Sequence, residues 1–346
     1  MTFNSFRITI TVSLLVGGLF FSCGSKNENS ESKDESKKAD SLSFKLNSPE
    51  LKAVNTELLK DPSNAANYSK RAMLYLRLGQ FPEAIGDALR SVKIDSTKAE
   101  YYLILADVYF AQNKTKLSKE TLEIIEKKFP ENTEAQLKLA ELYFLVQDYQ
   151  SALDHANKAL KIDNSLAQAY FLKGNIYRES GDTAKAISNL ITTIEQDNKF
   201  VHAFQDLGVI YGARRNPIAF DYYNNALKLN PENIEVKYGI AKLLQDLGKT
   251  DEAIVEYSKL TEKKGSCLNC LYNLGVIYLE TKKDNKKALD FFTRVIAEDP
   301  NYLEAYLARG LTYTRLKDKN AAKADYEMCL RLQPNYAPAL KGLNEL

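Results

Sequence analysis

A fixed period constrains this chain more than any other feature. Ala84, Ser118, Ala152, Ala186, Ala219, Ala253, Ala288 and Ala322 follow one another at intervals of 34, 34, 34, 33, 34, 35 and 34 residues. A second series keeps step with it: Tyr75, Tyr109, Tyr143, Tyr177, Tyr211, Leu244, Tyr278 and Tyr313. A third series, small or apolar, stands three residues before each of these: Ala72, Ala106, Ala140, Gly174, Gly208, Ala241, Gly275 and Gly310. Three registers locked to one spacing require one structural unit, repeated and stacked, because a single short unit cannot bury its own apolar face.

Within a unit the apolar residues recur at helical spacing. From Ala167 to about Ser180, Tyr170, Ile176 and Tyr177 mark a first helix, with Gly174 leaving room for a close neighbour. Gly181-Asp182 marks a turn, and Ala186, Leu190 and Ile194 mark a second helix. Pro130, Asn164, Asn198, Pro231, Gly265, Pro300 and Pro334 end most units, where a residue that cannot or need not continue a helix fits. This period and the small-x-x-Tyr…Ala…Pro spacing resemble the tetratricopeptide-repeat (TPR) family. Tyr102, Tyr170, Phe204 and Tyr306 take the place of its usual tryptophan, and Leu207-Gly208 and Leu274-Gly275 reproduce its Leu-Gly pair. The repeats also account for 21 tyrosines in a chain without tryptophan. The resemblance implies an all-α, right-handed superhelical solenoid of about eight helix-turn-helix repeats over 63–336, starting near 65, 99, 133, 167, 201, 234, 268 and 303. Helices over 48–62 and 337–346 are expected to cap its ends. Lys237 and Leu244 make the sixth repeat the least regular; the fifth turn, Arg214–Pro217, is one residue short, and the seventh, Thr281–Lys287, is one long and carries four lysines.

Residues 1–22 read as an export signal. Arg7 precedes Ile8–Phe21, an uncharged run of 14 residues, too short for a bilayer-spanning helix and right for a signal core. Leu19-Phe20-Phe21-Ser22-Cys23-Gly24 resembles the bacterial lipoprotein box, which implies lipidation of Cys23. Residues 23–47, rich in Ser, Lys, Glu and Asn, are expected to form a disordered spacer. The expected location is therefore a bacterial cell envelope, lipid-anchored, most simply at the outer membrane.

The chemistry-bearing residues are few. Lys and Arg number 47 against 45 Asp and Glu, a net charge of +2 without the basic clustering of a nucleic-acid binder. The two histidines, His155 and His202, stand apart, the first expected to be solvated or satisfied and the second to face the groove. No catalytic triad, phosphate loop, metal set or cofactor motif is assembled, so the chain is read as a non-enzyme with no cofactor, no metal and no small-molecule substrate. Cys267-Leu268-Asn269-Cys270 is the sharpest oddity. It admits a local disulfide, two free thiols, or redox or metal chemistry, although zinc needs further ligands and a thioredoxin-like role needs a βαβ setting. Cys329 occupies a small packed position.

In TPR proteins the concave surface is lined by the second, fifth, ninth, twelfth and thirteenth residues of each first helix. Transferred here, these places hold nine acids, Glu100, Asp107, Glu134, Glu141, Glu179, Glu235, Asp246, Glu280 and Glu304, against Arg77, Arg178, Lys242 and Arg315. The binding groove is assigned to Leu76, Glu100, Leu103, Asp107, Phe110, Glu134, Leu137, Glu141, Phe144, Phe171 and Tyr272. An acidic and apolar trough suits a basic, partly apolar segment of a partner protein. Family members that grip a C-terminal carboxylate use Lys, Asn and Arg on successive first helices; Asn175 followed by Asp206, Glu235 and Gly239 does not supply that set. The resulting expectation is a lipid-anchored scaffold or adaptor. The alternatives are a soluble periplasmic regulator of an envelope enzyme and a thiol-redox role for Cys267 and Cys270.

Overall fold

A computed structural model describes residues 48–262 and 267–346. The signal over 1–22, Cys23 and its spacer over 23–47, and the Gly265 stop lie outside the described residues. Among the described residues there are 18 helices and no strand. Helix α1 (Pro49–Lys60) comes first. Then follow pairs of similar length: α2 (Ala65–Arg77) and α3 (Phe81–Ile94), α4 (Ala99–Ala111) and α5 (Thr115–Lys128), α6 (Thr133–Leu145) and α7 (Tyr149–Ile162). The series goes on with α8 (Ala167–Glu179) and α9 (Thr183–Gln196), α10 (Val201–Ala213) and α11 (Ala219–Leu229), α12 (Ile234–Asp246) and α13 (Thr250–Leu260). It ends with α14 (Leu268–Glu280) and α15 (Asn285–Glu298), α16 (Leu303–Arg315) and α17 (Lys319–Leu332), and lastly α18 (Ala337–Asn344). The sixth pair forms like the others, with Leu244 and Tyr257 buried in one cluster. The chain divides into two compact units, one ending at Leu172 and the other beginning at Lys173, a division the period does not announce.

Local chemistry starts and stops these helices. Asn64, Asn132 and Asn233 accept the exposed N–H groups at the starts of α2, α6 and α12, and Asp148, Asp182, Asp284 and Asp318 do the same for α7, α9, α15 and α17. Between first and second helices the backbone turns through one left-handed residue, Gly79, Gly181 or Gly248 in three pairs. Asn113, Gln147, Arg215, Lys283 and Lys317 hold that conformation elsewhere despite their side chains.

In the first unit, Tyr102, Leu103 and Ala106 of α4 close on Leu122 and Ile125 of α5 and on Ala135, Leu139 and Leu142 of α6. Helix α1 buries Leu51, Val54 and Leu58 against Tyr68 and Leu74 of α2. The second unit is built on rings set against glycines. A Cβ on Gly208 would lie 2.4 Å from Tyr223, one on Gly275 2.5 Å from Phe292, and one on Gly310 2.8 Å from Tyr326. Gly342 of α18 covers the other side of Tyr326, so this helix closes the last pair. The tyrosine series has its own partners: Tyr143 stacks on His155 at 5.3 Å, Tyr211 on Tyr222 at 5.4 Å and Tyr278 on Phe291 at 5.5 Å. No helix among the described residues is long and apolar enough to cross a membrane.

Candidate partner-binding face

In the first unit, Glu134, Lys138, Glu141 and Leu145 stand at helical spacing along one stripe of α6. Asp107 on α4 accepts a hydrogen bond from Lys138 Nζ at 2.7 Å, which sets the stripes of α4 and α6 side by side. Glu134 lies 3.6 Å from the same ammonium, and Gln168 on α8 donates to Glu141 at 3.3 Å. Two carboxylates thus reach one lysine whose side chain is only 17% exposed, and Glu141 acts on it through space. Burial works against the Lys138 charge, but Asp107, Glu134 and Glu141 outweigh it and hold its pKa above the ordinary lysine value. Burial also raises the Glu141 carboxyl above its ordinary pKa, with Lys138 and Gln168 opposing and Asp107 and Glu134 adding to the rise. With the three carboxylates ionised, the cluster is short of two positive charges.

Two residues assigned to the groove belong to the core instead. Leu103 is 7% exposed inside the α4–α5–α6 cluster, and Leu137, also 7% exposed, packs with Ala159 and Ala169. Each faces the next repeat, where the saving from leaving water is already made. Phe110 is half-buried against the same α4–α6 cluster, and Phe144 is half-buried beside Tyr149, ring centroids 6.1 Å apart. Leu76 and Phe171 are half-buried on α2 and α8, while Glu100 and Glu134 are exposed. The apolar groups open to solvent on these helices are Met73, 40% exposed, and Leu145, 54%. Lys138 is the residue that family positions alone leave out. Its signal was in the sequence: it follows Glu134 by four residues and precedes Glu141 by three, which places it beside both on a helix.

In the second unit, three of the five acids at these positions lie beside bases. Arg178 is 3.6 Å from Glu179 and also reaches Asp206, which stands outside these positions, at 2.8 Å; Lys242 reaches Asp246 at 2.5 Å, and Arg315 reaches Glu280 at 2.6 Å. Gln205 donates to Glu235 at 2.7 Å. Part of the acidity counted from the sequence is therefore internal pairing there. Tyr272 is half-buried, 5.8 Å from Phe292 and 5.5 Å from Tyr302 by ring centroids.

The remaining candidates resolve locally. His155 is 9% exposed; its Nδ1 lies 2.8 Å from Gln136 Oε1, and burial, aided by Lys158, lowers its pKa. It is a satisfied rather than a solvated histidine. Cys267 and Cys270 are joined through their sulfurs, Cα atoms 5.2 Å apart. Cys329 is fully buried, and burial pushes its thiol up to about 11. Among the described residues no group of three His, Cys, Asp or Glu is placed to hold a metal ion.

Comparison with known proteins adds the following. Family models described as tetratricopeptide repeat match residues 103–167, 167–199, 213–267, 269–302 and 303–336. A stretch of 158 residues, 43% of the chain, is 32% identical to 10% of a UDP-N-acetylglucosamine–peptide N-acetylglucosaminyltransferase from Giardia intestinalis. A stretch of 247 residues, 59% of the chain, is 25% identical to 47% of the BBSome complex member BBS4 from Bos taurus. The chain thus spans 10% and 47% of the lengths of these two curated relatives. The crystal structure of a tetratricopeptide repeat protein from Parabacteroides merdae superposes with a TM-score of 0.54 at 18% identity, covering 71% of this chain and 97% of that one.

Proposed function

Since the chain belongs to the tetratricopeptide-repeat family and the repeats it shares are scaffolds for binding other proteins, we propose that it holds a basic, partly apolar segment of a partner protein on the stripes of α4 and α6. The observation that carries this reading is the Lys138 cluster. Asp107 and Glu134 reach a single ammonium, and Glu141, one turn further along α6 and desolvated, feels the same charge. A lysine or arginine brought by a partner supplies part of the missing charge, while Leu145 and the half-buried Phe144 offer apolar contact beside it. The chain itself acts without catalysis in this reading. The shared stretch of the Giardia transferase is a tenth of that enzyme, and His155, the one buried histidine among the described residues, is engaged with Gln136. The lipoprotein-like box supports an acyl anchor on Cys23, so that the repeats work at the membrane of a bacterial envelope.

The binding part is tested by affinity capture from solubilised membranes and by titration with the captured segment. Glu134→Lys with Glu141→Lys is expected to weaken binding roughly tenfold at low salt, about 1.4 kcal/mol, with the loss shrinking as salt screens the rim. Leu145→Ala is expected to weaken it at every salt concentration while leaving the melting temperature in place, since its side chain is open to solvent. Binding that survives all three changes places the partner on another face. The anchor is tested separately: Cys23→Ala releases the protein into the soluble fraction, because an acyl chain contributes about 0.8 kcal/mol per buried methylene. Continued sedimentation of that variant with membranes rejects the lipid.

A further inference from the structure

Cys267 and Cys270 stand outside the binding face described above, and the structure makes the two sulfurs unlike. Cys267 caps the N-terminus of α14, a helix of 13 residues, and its Sγ accepts the Cys270 backbone N–H at 3.2 Å. It is partly open to solvent. Cys270, one turn inside the helix, is 0% exposed and packed in a cluster with Ala241, Leu244, Tyr257 and Leu274. The first turn that follows Cys267 is also tied down. Asn269, between the cysteines and exposed, accepts a hydrogen bond from the Tyr302 hydroxyl at 3.1 Å, and Tyr302 stacks on Tyr272 at 5.5 Å.

We propose that Cys267 and Cys270 form a redox-active pair that exchanges with thiols of small molecules or proteins, Cys267 being the sulfur that reacts and Cys270 the sulfur that resolves. Three features divide the roles. Access decides which sulfur an incoming thiolate meets, and only Cys267 is open. A helix N-terminus and a backbone N–H aimed at Sγ stabilise a thiolate on Cys267 once the bond is broken. An apolar surround keeps Cys270 protonated and shielded until a mixed disulfide on its neighbour brings a sulfur within reach.

The exchange balances as follows. A thiolate of the reductant attacks Cys267 Sγ; a new sulfur–sulfur bond forms, the Cys267–Cys270 bond breaks, and Cys270 leaves as a thiolate that takes a proton from water. A second reductant thiolate attacks the reductant sulfur of the mixed disulfide and releases Cys267 as a thiolate. Two electrons pass from two thiols to the protein disulfide, and the reductant departs as a disulfide. In the opposite direction the reduced pair opens a disulfide of its partner.

Glutathione serves as the probe, with the full chain carrying Cys23→Ala and Cys329→Ala so that only this pair reports. Incubated in buffers of varied reduced-to-oxidised glutathione ratio, quenched by alkylation and weighed, the folded protein is expected to pass reversibly between disulfide and dithiol forms. Cys270→Ser with oxidised glutathione is expected to carry one glutathione on Cys267, and Cys267→Ser none on Cys270. The alkylation rate of Cys267 in the Cys270→Ser variant is expected to reach half its plateau below the ordinary cysteine value of about 8.5. A wild-type pair that stays wholly oxidised or wholly reduced at every ratio overturns the proposal even if a variant fails to fold. So does equal labelling of both single variants, or a Cys267 midpoint at or above the ordinary value.

Discussion

Arg71 and Arg309 occupy the same place in the first and last repeats, and each meets an aspartate 16 residues later. Arg71 donates to both oxygens of Asp87 at 2.6 and 2.8 Å and to Asn55 at 2.7 Å; Arg309 donates to both oxygens of Asp325 at 2.8 Å. In both pairs the hydrogen bond to the carboxylate is the leading cause that holds the guanidinium pKa above its ordinary value. The side chains of Arg309 and Asp325 are 18% and 7% exposed, so deleting one partner strands a largely buried charge. Asp325→Ala is therefore expected to cost about 3 kcal/mol, the lower end for a broken buried pair, in urea unfolding followed by circular dichroism. Replacing both partners, as Arg309→Met with Asp325→Leu, is expected to recover most of that loss. A loss under about 1 kcal/mol for the single change would show the pair to be solvated. These pairs were not legible in the sequence. Position and period predict that a helix pair forms, but whether a charged residue on one helix meets its opposite on the other depends on side-chain direction at both places. At the same place as Asp87 three of the other six repeats carry His155, Tyr222 and Phe291, which stack on tyrosines instead, and the other three carry Thr121, Asn189 and Glu256.

Between elements, the rings and glycines of the second unit decide how closely two helices approach. Phe292 of α15 is 0% exposed and fills the space that a Cβ on Gly275 of α14 would take, 2.5 Å from its ring. Overpacking of this kind costs about 1–3 kcal/mol, whereas alanine in place of glycine in a helix returns about 1 kcal/mol. Gly275→Ala is expected to be destabilising by up to about 2 kcal/mol on that balance, and adding Phe292→Leu is expected to relieve part of it. Gly86 on α3 is the control. A Cβ there meets nothing within 4 Å, so Gly86→Ala is expected to stabilise by up to about 1 kcal/mol. Thermal melts of the three variants against the parent check both signs, and a stabilising Gly275→Ala would mean that the ring turns aside without strain. The sequence made the close approach at this register visible, through Gly174, Gly208, Gly275 and Gly310. It did not identify the side chain that fills each gap, because the filling residue comes four positions after the periodic alanine on the second helix, and Leu190, Tyr223, Phe292 and Tyr326 share size rather than type.

Across the molecule, the repeat, its helix pairs and the flanking α1 and α18 follow from a period that one chain carries many times over, so the fold was the most legible part. The binding face was less so, because the five family positions describe where a residue stands on its helix and not how far the next repeat covers it. That is why Leu103 and Leu137 proved to be core, and why Lys138 was overlooked although it neutralises part of the stripe. The same cluster gives the proposed face a pH dependence whose sign can be worked out. The Glu141 carboxyl titrates above its ordinary value because it is buried, and the folded protein therefore holds this proton more tightly than the unfolded chain does. Protonation of Glu141 stabilises the free fold as pH falls, and that contribution is lost as pH rises through the folded pKa. A cationic partner acts in the other direction, since it binds the ionised carboxylate and draws its pKa down. Binding must then release a proton, and affinity is expected to fall as pH drops through the raised Glu141 value and to level off above it. Asp107, Glu134 and Lys138 face the same group from α4 and α6, and Gln168 from α8; the Lys138 ammonium is held above the ordinary lysine value and so lies outside this range. Titration calorimetry of a captured basic segment in two buffers of different ionisation heat, repeated across weakly acid to neutral pH, measures both the affinity and the proton count. Glu141→Gln should bind more weakly at neutral pH and lose the proton release, so that wild type and variant converge at the acid end. If wild type and variant instead keep parallel affinities at every pH, Glu141 does not meet the partner's charge and the segment lies elsewhere on the array.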